Sequence, residues 1–397
     1  MKFWSIILFI LTFKTSLGVL SPKNDSTKKK NITFCSNNFI SINSTHLPIN
    51  FFGKLYNGGM IEEKDKGNTQ KLSRYNTSGF ELDFAFGLNI FSKEKLNGWY
   101  VNFQNLSTGG ARYNQALFNM IFFGNKNISD PINLEKISFH FRKHQIFHIG
   151  FIKNKISFGL SLGSIIKEYQ GNFSDGDYLS FNSSYLWEFA VKPSFLILEN
   201  KQKSIIKNGN SIGFDFNYVS NNKSVEGKQF NYTLMLNNFG LMIYHDYYKK
   251  LEIDTSFYYQ GVSIDEISNI DSTILAYSSL IEPSAQIKNE TQISPFFAYG
   301  EINYKFQNFK IFSDLMYRHK SQYIPRLNIG IEKKSSNQLA LGTSISYGGY
   351  NKFQWGTKLI YSINSFNIIF ILNNIAGLLP NTGKSLGLNF KVYYNLN

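Results

Sequence analysis

The chain has 397 residues, a formal net charge of +14 and one cysteine, Cys35. A single cysteine excludes an intramolecular disulfide framework, and the lack of any run of about twenty apolar residues beyond the N-terminal region excludes a bundle of membrane-spanning helices. A soluble all-β protein and a β-barrel with a polar lumen remain, because both are compatible with a mean hydropathy of −0.22.

The first element in chain order is an export signal, predicted over residues 1–18. Lys2 forms a basic n-region, residues 3–13 form an apolar core, and Ser16-Leu17-Gly18 is a small-residue cleavage site ending at Gly18. Cleavage would remove two lysines and lower the formal charge from +14 to +12. Residues 19–45 are predicted to be a polar segment, in which Cys35 is an ordinary small apolar residue rather than a lipidated one, and residues 46–397 the main domain.

Residues 80–90 (FELDFAFGLNI) are the clearest predicted strand. Apolar side chains fall on one face, and Glu81 and Asp83 fall on the other, as a two-residue period requires. A half-buried strand of a soluble sheet and a bilayer-spanning strand share this pattern. The other predicted strands are residues 99–104, 137–142, 146–153, 156–167, 211–219, 230–237, 251–260, 296–306, 309–317, 327–332, 339–347, 353–363, 366–372 and 386–396, with a weaker pair between residues 178 and 198.

The connections between these strands divide into two classes. Residues 153–155, 307–308 and 364–365 are tight hairpin turns, whereas residues 105–135 and 261–294 form long polar connections. Short helices are predicted inside the long connections, at residues 115–123 and 264–280. Short turns at one rim and long loops at the other are typical of a bacterial outer-membrane barrel.

Aromatic residues make up 17% of the chain, with 38 Phe and 24 Tyr, and spanning strands carry aromatic girdles at both membrane interfaces. The final strand, residues 386–396, alternates cleanly, like the C-terminal assembly signal of outer-membrane barrels, although it ends on Asn-Leu-Asn instead of an aromatic residue. We therefore predict an all-β fold: a transmembrane antiparallel β-barrel of about 14 strands, following a cleaved signal peptide and located in the outer membrane.

The polar faces of the strands supply the candidate site residues. Ser157, Gly159, Ser161 and Gly163 would make one wall of the lumen nearly free of side chains, which either leaves room for water or a plug, or allows close packing. Both alternatives remain open at this point. The predicted lumen wall consists of Glu81, Asp83, Ser157, Gly159, Ser161, Gly163 and Lys358.

Two groups of residues raise the possibility of a metal site. His140, His144 and His148 are four residues apart and share a face of either a helix or a single strand, but Arg142 would join them and residues 143–145 could instead form a turn. Asp175-Gly176-Asp177 is too short for a calcium loop, so a turn is expected. No catalytic motif stands out. We therefore predict no catalytic, cofactor-binding or metal-binding residues and no cofactor.

Three stretches resemble a known family: HLPINFFGKLYNGG from His46, YYQGVSIDEI from Tyr258, and ILNNIAGLLPNTGKSLGLNFKVYY from Ile371. They resemble an uncharacterised family of outer-membrane β-barrels from Bacteroidota, a domain of unknown function, and are more loosely similar to the PorP/SprF proteins of type IX secretion and gliding motility. The resemblance implies an outer-membrane barrel and supplies no functional residues. The Asn-Pro-Ala element seen near the N-terminus of such barrels is absent here.

The function expected from the sequence is that of a non-enzymatic envelope protein. It is either a structural component of a secretion or gliding system or a passive, porin-like solute conduit. The alternatives are an exported soluble β-sandwich or adhesin that binds glycans, and a lipid-modifying enzyme of the outer membrane. Because lysines are scattered through turns, we expect outer-membrane lipid as a partner and no nucleic acid. The resemblance implies secretion or motility machinery proteins as further partners.

Overall fold

Fourteen long strands pair into a closed ring in the computed structural model, which describes residues 32–66, 75–92, 97–124, 130–181, 187–191, 194–199, 209–220, 228–244, 248–252, 255–259, 285–287, 290–319 and 322–396. The strands are β1 (Ile32–Ser44), β2 (Asn76–Phe91), β3 (Asn97–Tyr113), β4 (Ile132–Asn133), β5 (Ser138–Lys153), β6 (Ile156–Asn172), β7 (Tyr178–Phe181), β8 (Trp187–Val191), β9 (Ser194–Glu199), β10 (Gly209–Val219), β11 (Lys228–Tyr244), β12 (Tyr248–Glu252), β13 (Thr255–Tyr259), β14 (Ala285–Ile287), β15 (Glu290–Ile293), β16 (Phe297–Phe306), β17 (Phe309–Arg318), β18 (Ile324–Lys334), β19 (Leu339–Gly349), β20 (Asn351–Ile363), β21 (Phe366–Leu372) and β22 (Ser385–Leu396). The helices are α1 (Ile49–Tyr56) and α2 (Gln115–Phe123), and short 3₁₀ turns lie at Glu63–Asp65 and Ile375–Leu378.

The ring runs in the order β1, β2, β3, β5, β6, β10, β11, β16, β17, β18, β19, β20, β21 and β22, and every neighbouring pair is antiparallel. Pairing of β1 with β22, from Ile32 opposite Leu396 to Asn43 opposite Ser385, closes it. Closure leaves no exposed strand edge in the ring. The prediction of an antiparallel barrel of about 14 strands is confirmed.

The two faces of the barrel wall differ in chemistry. On β2, Phe86 and Ile90 are exposed while Glu81 and Asp83 are buried; on β20, Phe353 and Trp355 are exposed while Gln354 is buried. An exposed apolar outer face and a buried polar inner face are the reverse of a soluble protein and are typical of a barrel in lipid. The protein is an outer-membrane barrel, with the Phe and Leu side chains of β2 facing the bilayer.

The two rims of the barrel differ in the length of their connections. The tight turns at residues 154–155, 307–308 and 364–365 all lie at the rim where β1 begins and β22 ends. The connections containing α1, α2 and the small sheet β4-β7-β8-β13 lie at the opposite rim. At that rim β9 pairs with the end of β6, β12 pairs with β9, and β14 pairs with β12. The predicted asymmetry is therefore present, and the long rim corresponds to the extracellular side of such barrels.

Several predicted boundaries differ from the structure. The barrel begins at Ile32, although its start was predicted at residue 46, because β1 carries Ser36 and Asn38 on its outer face and so breaks the apolar alternation. Residues 137–142 and 146–153 belong to one strand, β5, and residues 143–145 form no turn. β3 continues to Tyr113, into the predicted loop. The weaker segments at 178–198 and 251–260 form short strands outside the ring.

The predicted helix at residues 115–123 is confirmed as α2, where the Asn114 side chain caps the N-terminus by accepting a hydrogen bond from the Leu117 N–H at 2.8 Å. The predicted helix at 264–280 and the signal peptide with Gly18 lie outside the described residues. Among the helices that the structure describes, none is long and apolar enough to cross a membrane.

The strand that pairs with β11 is interrupted at residues 294–296. Residues Ser294, Pro295 and Phe296 separate β15 from β16, although both of these strands pair with β11. Pro295 has no N–H to donate to β11, and opposite it Asn238 adopts a positive φ of 58° at a bulge in the pairing of β10 with β11. The Ser294 N–H still donates to the Gly240 carbonyl at 2.9 Å, so the wall stays joined beside the break.

Candidate functional site

The lumen is crossed by an ion pair between opposite walls. Arg318, at the end of β17, donates hydrogen bonds to Glu81 and, at 3.4 Å, to Asp83 Oδ2, both on β2. β2 and β17 are seven strands apart in either direction around the ring. Two strands so placed can meet only through the interior, so the inner face of β2 is a lumen face and the lumen is bridged at this level.

Asp83 is also held by its neighbour on β3. Gln104 Nε2 donates to both oxygens of Asp83 at 2.9 Å, and Gln104 Oε1 lies 3.4 Å from His148 Nε2 on β5. The predicted wall residues Glu81 and Asp83 are 2% and 5% exposed, so both belong to a packed polar network. The network continues around the wall, since His148 Nδ1 lies 2.7 Å from Asp215 on β10.

A second buried network centres on Glu168 of β6. Its carboxylate accepts from Arg142 and from Tyr244 Oη at 2.9 Å, and it lies 3.2 Å from His140 Nε2. All four side chains are buried. A carboxylate with a guanidinium and two further polar partners satisfies the requirement that buried charges be paired and hydrogen-bonded.

The three predicted histidines lie on one inward face of β5, as the strand alternative requires, but they do not converge. His140 contacts Glu168, His144 Nε2 lies 3.0 Å from Ser211 Oγ, and His148 contacts Asp215. Each imidazole therefore has its own partner, on β6 for His140 and on β10 for His144 and His148. Among the described residues no group of three or more His, Cys, Asp or Glu could hold a metal ion.

The opposite wall carries a third set of inward polar groups. Glu301 accepts from Tyr299 Oη at 2.7 Å and from Lys310 Nζ at 2.9 Å. The predicted wall residue Lys358, on β20, donates to Glu332 at 3.0 Å on β18, two strands away. Cationic and anionic groups thus alternate around this wall, and each ion pair joins strands that are near neighbours.

The small-residue wall of β6 is packed instead of open. Ser157 and Ser161 are buried, and a side chain added at Gly159 would collide with the Tyr100 hydroxyl of β3. One added at Gly163 would collide with His144 and Ser211. Of the two alternatives for this wall, the structure favours close packing, because the glycines admit long side chains from other strands.

Two small cavities lie in the described part of the lumen. One of about 20 Å³ is lined by Thr108, Arg142, His144, Arg318 and neighbours, and another of about 10 Å³ lies beside Glu81 and Arg326. Each is the size of one water molecule. At these two places the side chains leave room for little more than a water molecule.

A layer of packed connections, here called the cap, lies at the long-loop rim. It is formed by the connection between β1 and β2, in which the Ile49 and Asn50 N–H groups donate to the carbonyls of Gly383 and Pro380 in the connection from β21 to β22. Phe51 of α1 packs against Phe118 and Phe122 of α2. Hydrogen bonds and aromatic packing thus join three of the long connections into one layer over the rim.

Asp65 anchors this cap. It is buried and accepts hydrogen bonds from Lys54, from the Glu62 N–H at 2.9 Å and from Asn50 at 2.8 Å. Burial raises the pKa of the Asp65 carboxyl, but these hydrogen bonds and the charge of Lys54 outweigh it, so its pKa lies below the ordinary value. The charged form therefore stabilises the fold of residues 49–66.

The remaining singled-out residues have structural roles. Asp175 and Gly176 form the predicted turn, with Gly176 at a φ of 88°, and Asp177 accepts from the Ser174 N–H at 2.7 Å. Cys35 is buried against Ala85 and Tyr393. Sequence reasoning missed Arg318 and Glu168, whose only signal was a charged residue on the polar side of an alternating strand.

Comparison with known proteins finds no matching family model and no matching curated protein. Solved structures of similar architecture include a deltaS2S3 mutant of the TodX monoaromatic hydrocarbon channel (TM-score 0.42, 10% identity, covering 94% of this chain and 91% of that one) and the toluene transporter TodX of P. putida (0.40, 10%, 94% and 91%). A FadL homologue of Pseudomonas aeruginosa is similar to this chain at a TM-score of 0.39 and 9% identity, covering 92% of this chain and 90% of that one. Likenesses this distant assign neither a family nor a function.

Proposed function

We propose that this chain is a non-enzymatic outer-membrane protein that acts as a passive conduit for small polar solutes and is closed in its resting conformation. The observation that carries the proposal is the ion pair between Arg318 and Glu81, which joins opposite walls of a polar lumen. A barrel with only a structural role has no need of it, because well-packed apolar residues are often as stabilising as a buried ion pair, or more so. An ion pair across the lumen that adds little net stability is suited to reversible opening.

The wall itself supports the same function. Charged and amide side chains project inward from several strands, as in the networks of Asp83, Glu168 and Glu301, so an opened lumen would be wetted. Opening requires the Arg318 side chain to leave β2 and the cap to move from the rim. Both changes break hydrogen bonds that water can replace.

Planar-bilayer recording of the refolded chain tests the proposal. We expect stable single-channel openings that are infrequent in the wild type and more frequent in the triple variant Glu81→Gln, Asp83→Asn, Arg318→Ala, which removes the bridge without stranding a buried charge. The matched control is Lys358→Ala with Glu332→Gln, an inward ion pair that joins strands only two apart. A sealed barrel in both wild type and triple variant would refute the conduit.

A second candidate function is a structural component of an envelope secretion or gliding system. One observation favours it: apolar side chains project from the cap, with Tyr56 88% and Met60 85% exposed, and Leu379 is exposed in the connection from β21 to β22. Exposed apolar groups on an extracellular rim suit contact with another protein. Photocrosslinking from Tyr56 in intact cells tests this candidate, since a defined crosslinked protein supports it and lipid-only or absent crosslinks contradict it.

A further inference from the structure

The lumen contains a cavity whose lining is cationic. The cavity has a volume of about 20 Å³. It is lined by the guanidinium groups of Arg142 on β5 and Arg318 on β17, by the imidazoles of His144 and His319, and by Thr108. Leu106, Pro295 and Phe296 complete the lining, so none of its eight described residues carries a carboxylate. The carboxylates that neutralise the two arginines bind them from outside this set.

Two buried nitrogen atoms at this cavity have no hydrogen-bond partner among the residues that the structure describes. Arg142 is 3% exposed and His144 is 0% exposed, and within the described part of the chain neither Arg142 Nε nor His144 Nδ1 has a hydrogen-bond partner. Guanidinium Nε always carries a hydrogen. A buried donor left without an acceptor is costly, so Arg142 Nε calls for an acceptor from outside the described residues.

The contact between His144 and Ser211 allows the other ring nitrogen, Nδ1, to be a donor. His144 Nε2 lies 3.0 Å from Ser211 Oγ. When the Ser211 hydroxyl donates to Nε2, the neutral ring carries its hydrogen on Nδ1, which becomes a second donor beside Arg142 Nε. The site then offers donors and positive charge, which is the chemistry that holds an anion.

We infer that this cavity binds one monatomic inorganic anion of the chloride class. Its volume of about 20 Å³ holds a single water-sized or halide-sized particle and is too small for phosphate, sulfate or an organic acid. A role of this site in transport rests on the proposed conduit function. In an open conduit, an anion held between Arg142 and Arg318 would bias passage towards anions. Binding itself is independent of transport.

Anomalous diffraction from crystals of the refolded chain grown in sodium bromide tests the inference directly. We expect a bromide peak inside the cavity beside Arg142 and His144. A cavity that holds only water under these conditions would overturn the site, whatever the barrel conducts. A sealed barrel with bromide in the cavity would refute the conduit and leave the anion site standing, so the two failures are distinguishable.

A solution measurement complements the crystal. At fixed ionic strength, chloride or bromide should raise the unfolding temperature relative to gluconate, which is too large to enter, because a ligand of the folded state stabilises it. The double variant Arg142→Gln with Glu168→Gln should lose this shift, and Lys358→Gln with Glu332→Gln should keep it. An equal halide shift in both double variants would contradict the assignment to this cavity. The bromide experiment on the wild type holds even if a variant fails to fold.

Discussion

Replacing Arg318 by Met is expected to destabilise the barrel strongly, because it leaves two buried carboxylates on β2. Glu81 is 2% exposed and loses the hydrogen bond from Arg318, whereas Asp83 keeps both hydrogen bonds from Gln104. Most of the lost stability therefore comes from the buried Glu81 carboxylate, which is left without its partner. Removing one partner of a buried ion pair costs about 3–5 kcal/mol, and we expect a loss of this size in the free energy of unfolding.

Urea unfolding of the refolded barrel in detergent micelles, followed by tryptophan fluorescence and by the mobility of unheated samples in gels, measures this loss. Glu81→Gln with Asp83→Asn in the Arg318→Met background should recover most of it, since no buried charge is then stranded. Lys64→Met is the control, because its ion pair with Glu62 is exposed, and no measurable change is expected. A loss of stability below about 1 kcal/mol for Arg318→Met, or no recovery in the triple variant, would refute the ion pair between Arg318 and Glu81 across the lumen.

Three further predictions concern the cap, the outer face and the packed wall. The pKa of Asp65 is lowered in the folded cap, so the stability that its charged form gives the cap should be complete above the ordinary carboxyl pKa of about 4 and lost as the pH falls further. Hydrogen exchange at residues 49–66 should therefore rise in acid in the wild type and be independent of this pH change in Asp65→Asn. Phe147→Arg, on the exposed face of β5, should cost about 2–4 kcal/mol in lipid vesicles, measured by urea unfolding. Gly159→Val should cost about 1–3 kcal/mol by overpacking against Tyr100, and Tyr100→Phe should relieve part of that loss.

Each of these predictions has a result that would contradict it. Acid-induced exchange in Asp65→Asn equal to that of the wild type would show that another group controls the cap. Tolerance of Arg at residue 147 in lipid would place that face away from the bilayer. A stable Gly159→Val barrel would mean that the wall of β6 is open.

The strand pattern of the barrel could be predicted from the sequence because alternation is local. On β2 and β20 each apolar residue is followed by a polar or small one, and the pleat alone sends them to opposite faces. β1 was missed because Ser36 and Asn38 occupy lipid-side positions, where they interrupt the apolar set that marks a spanning strand. The pairing of β1 with β22 restores this strand to the barrel through backbone hydrogen bonds, which leave no trace in the hydropathy.

The contacts inside the lumen could not be predicted, because they depend on the number of strands and on their stagger. Glu81 and Asp83 were assigned to the wall from the sequence, but Arg318 lies 237 residues away from Glu81 and reaches it only across the ring. The same reason explains why the glycines of β6 looked open. The side chains that fill the space beside them come from β3, β5 and β10, and strand register decides which of them reach these glycines.

The closure of the ring between its first and last strands is the central claim, and the native Cys35 allows it to be tested with one substitution. Cys35 is the only cysteine and pairs directly with Tyr393 on β22, a cross-strand position from which two cysteines can reach each other. The variant Tyr393→Cys should form a disulfide on mild oxidation, detected by mass spectrometry of the fragment that joins the two ends of the chain, and Asn389→Cys should not. Free thiols in Tyr393→Cys, or equal crosslinking in both variants, would contradict a closed barrel.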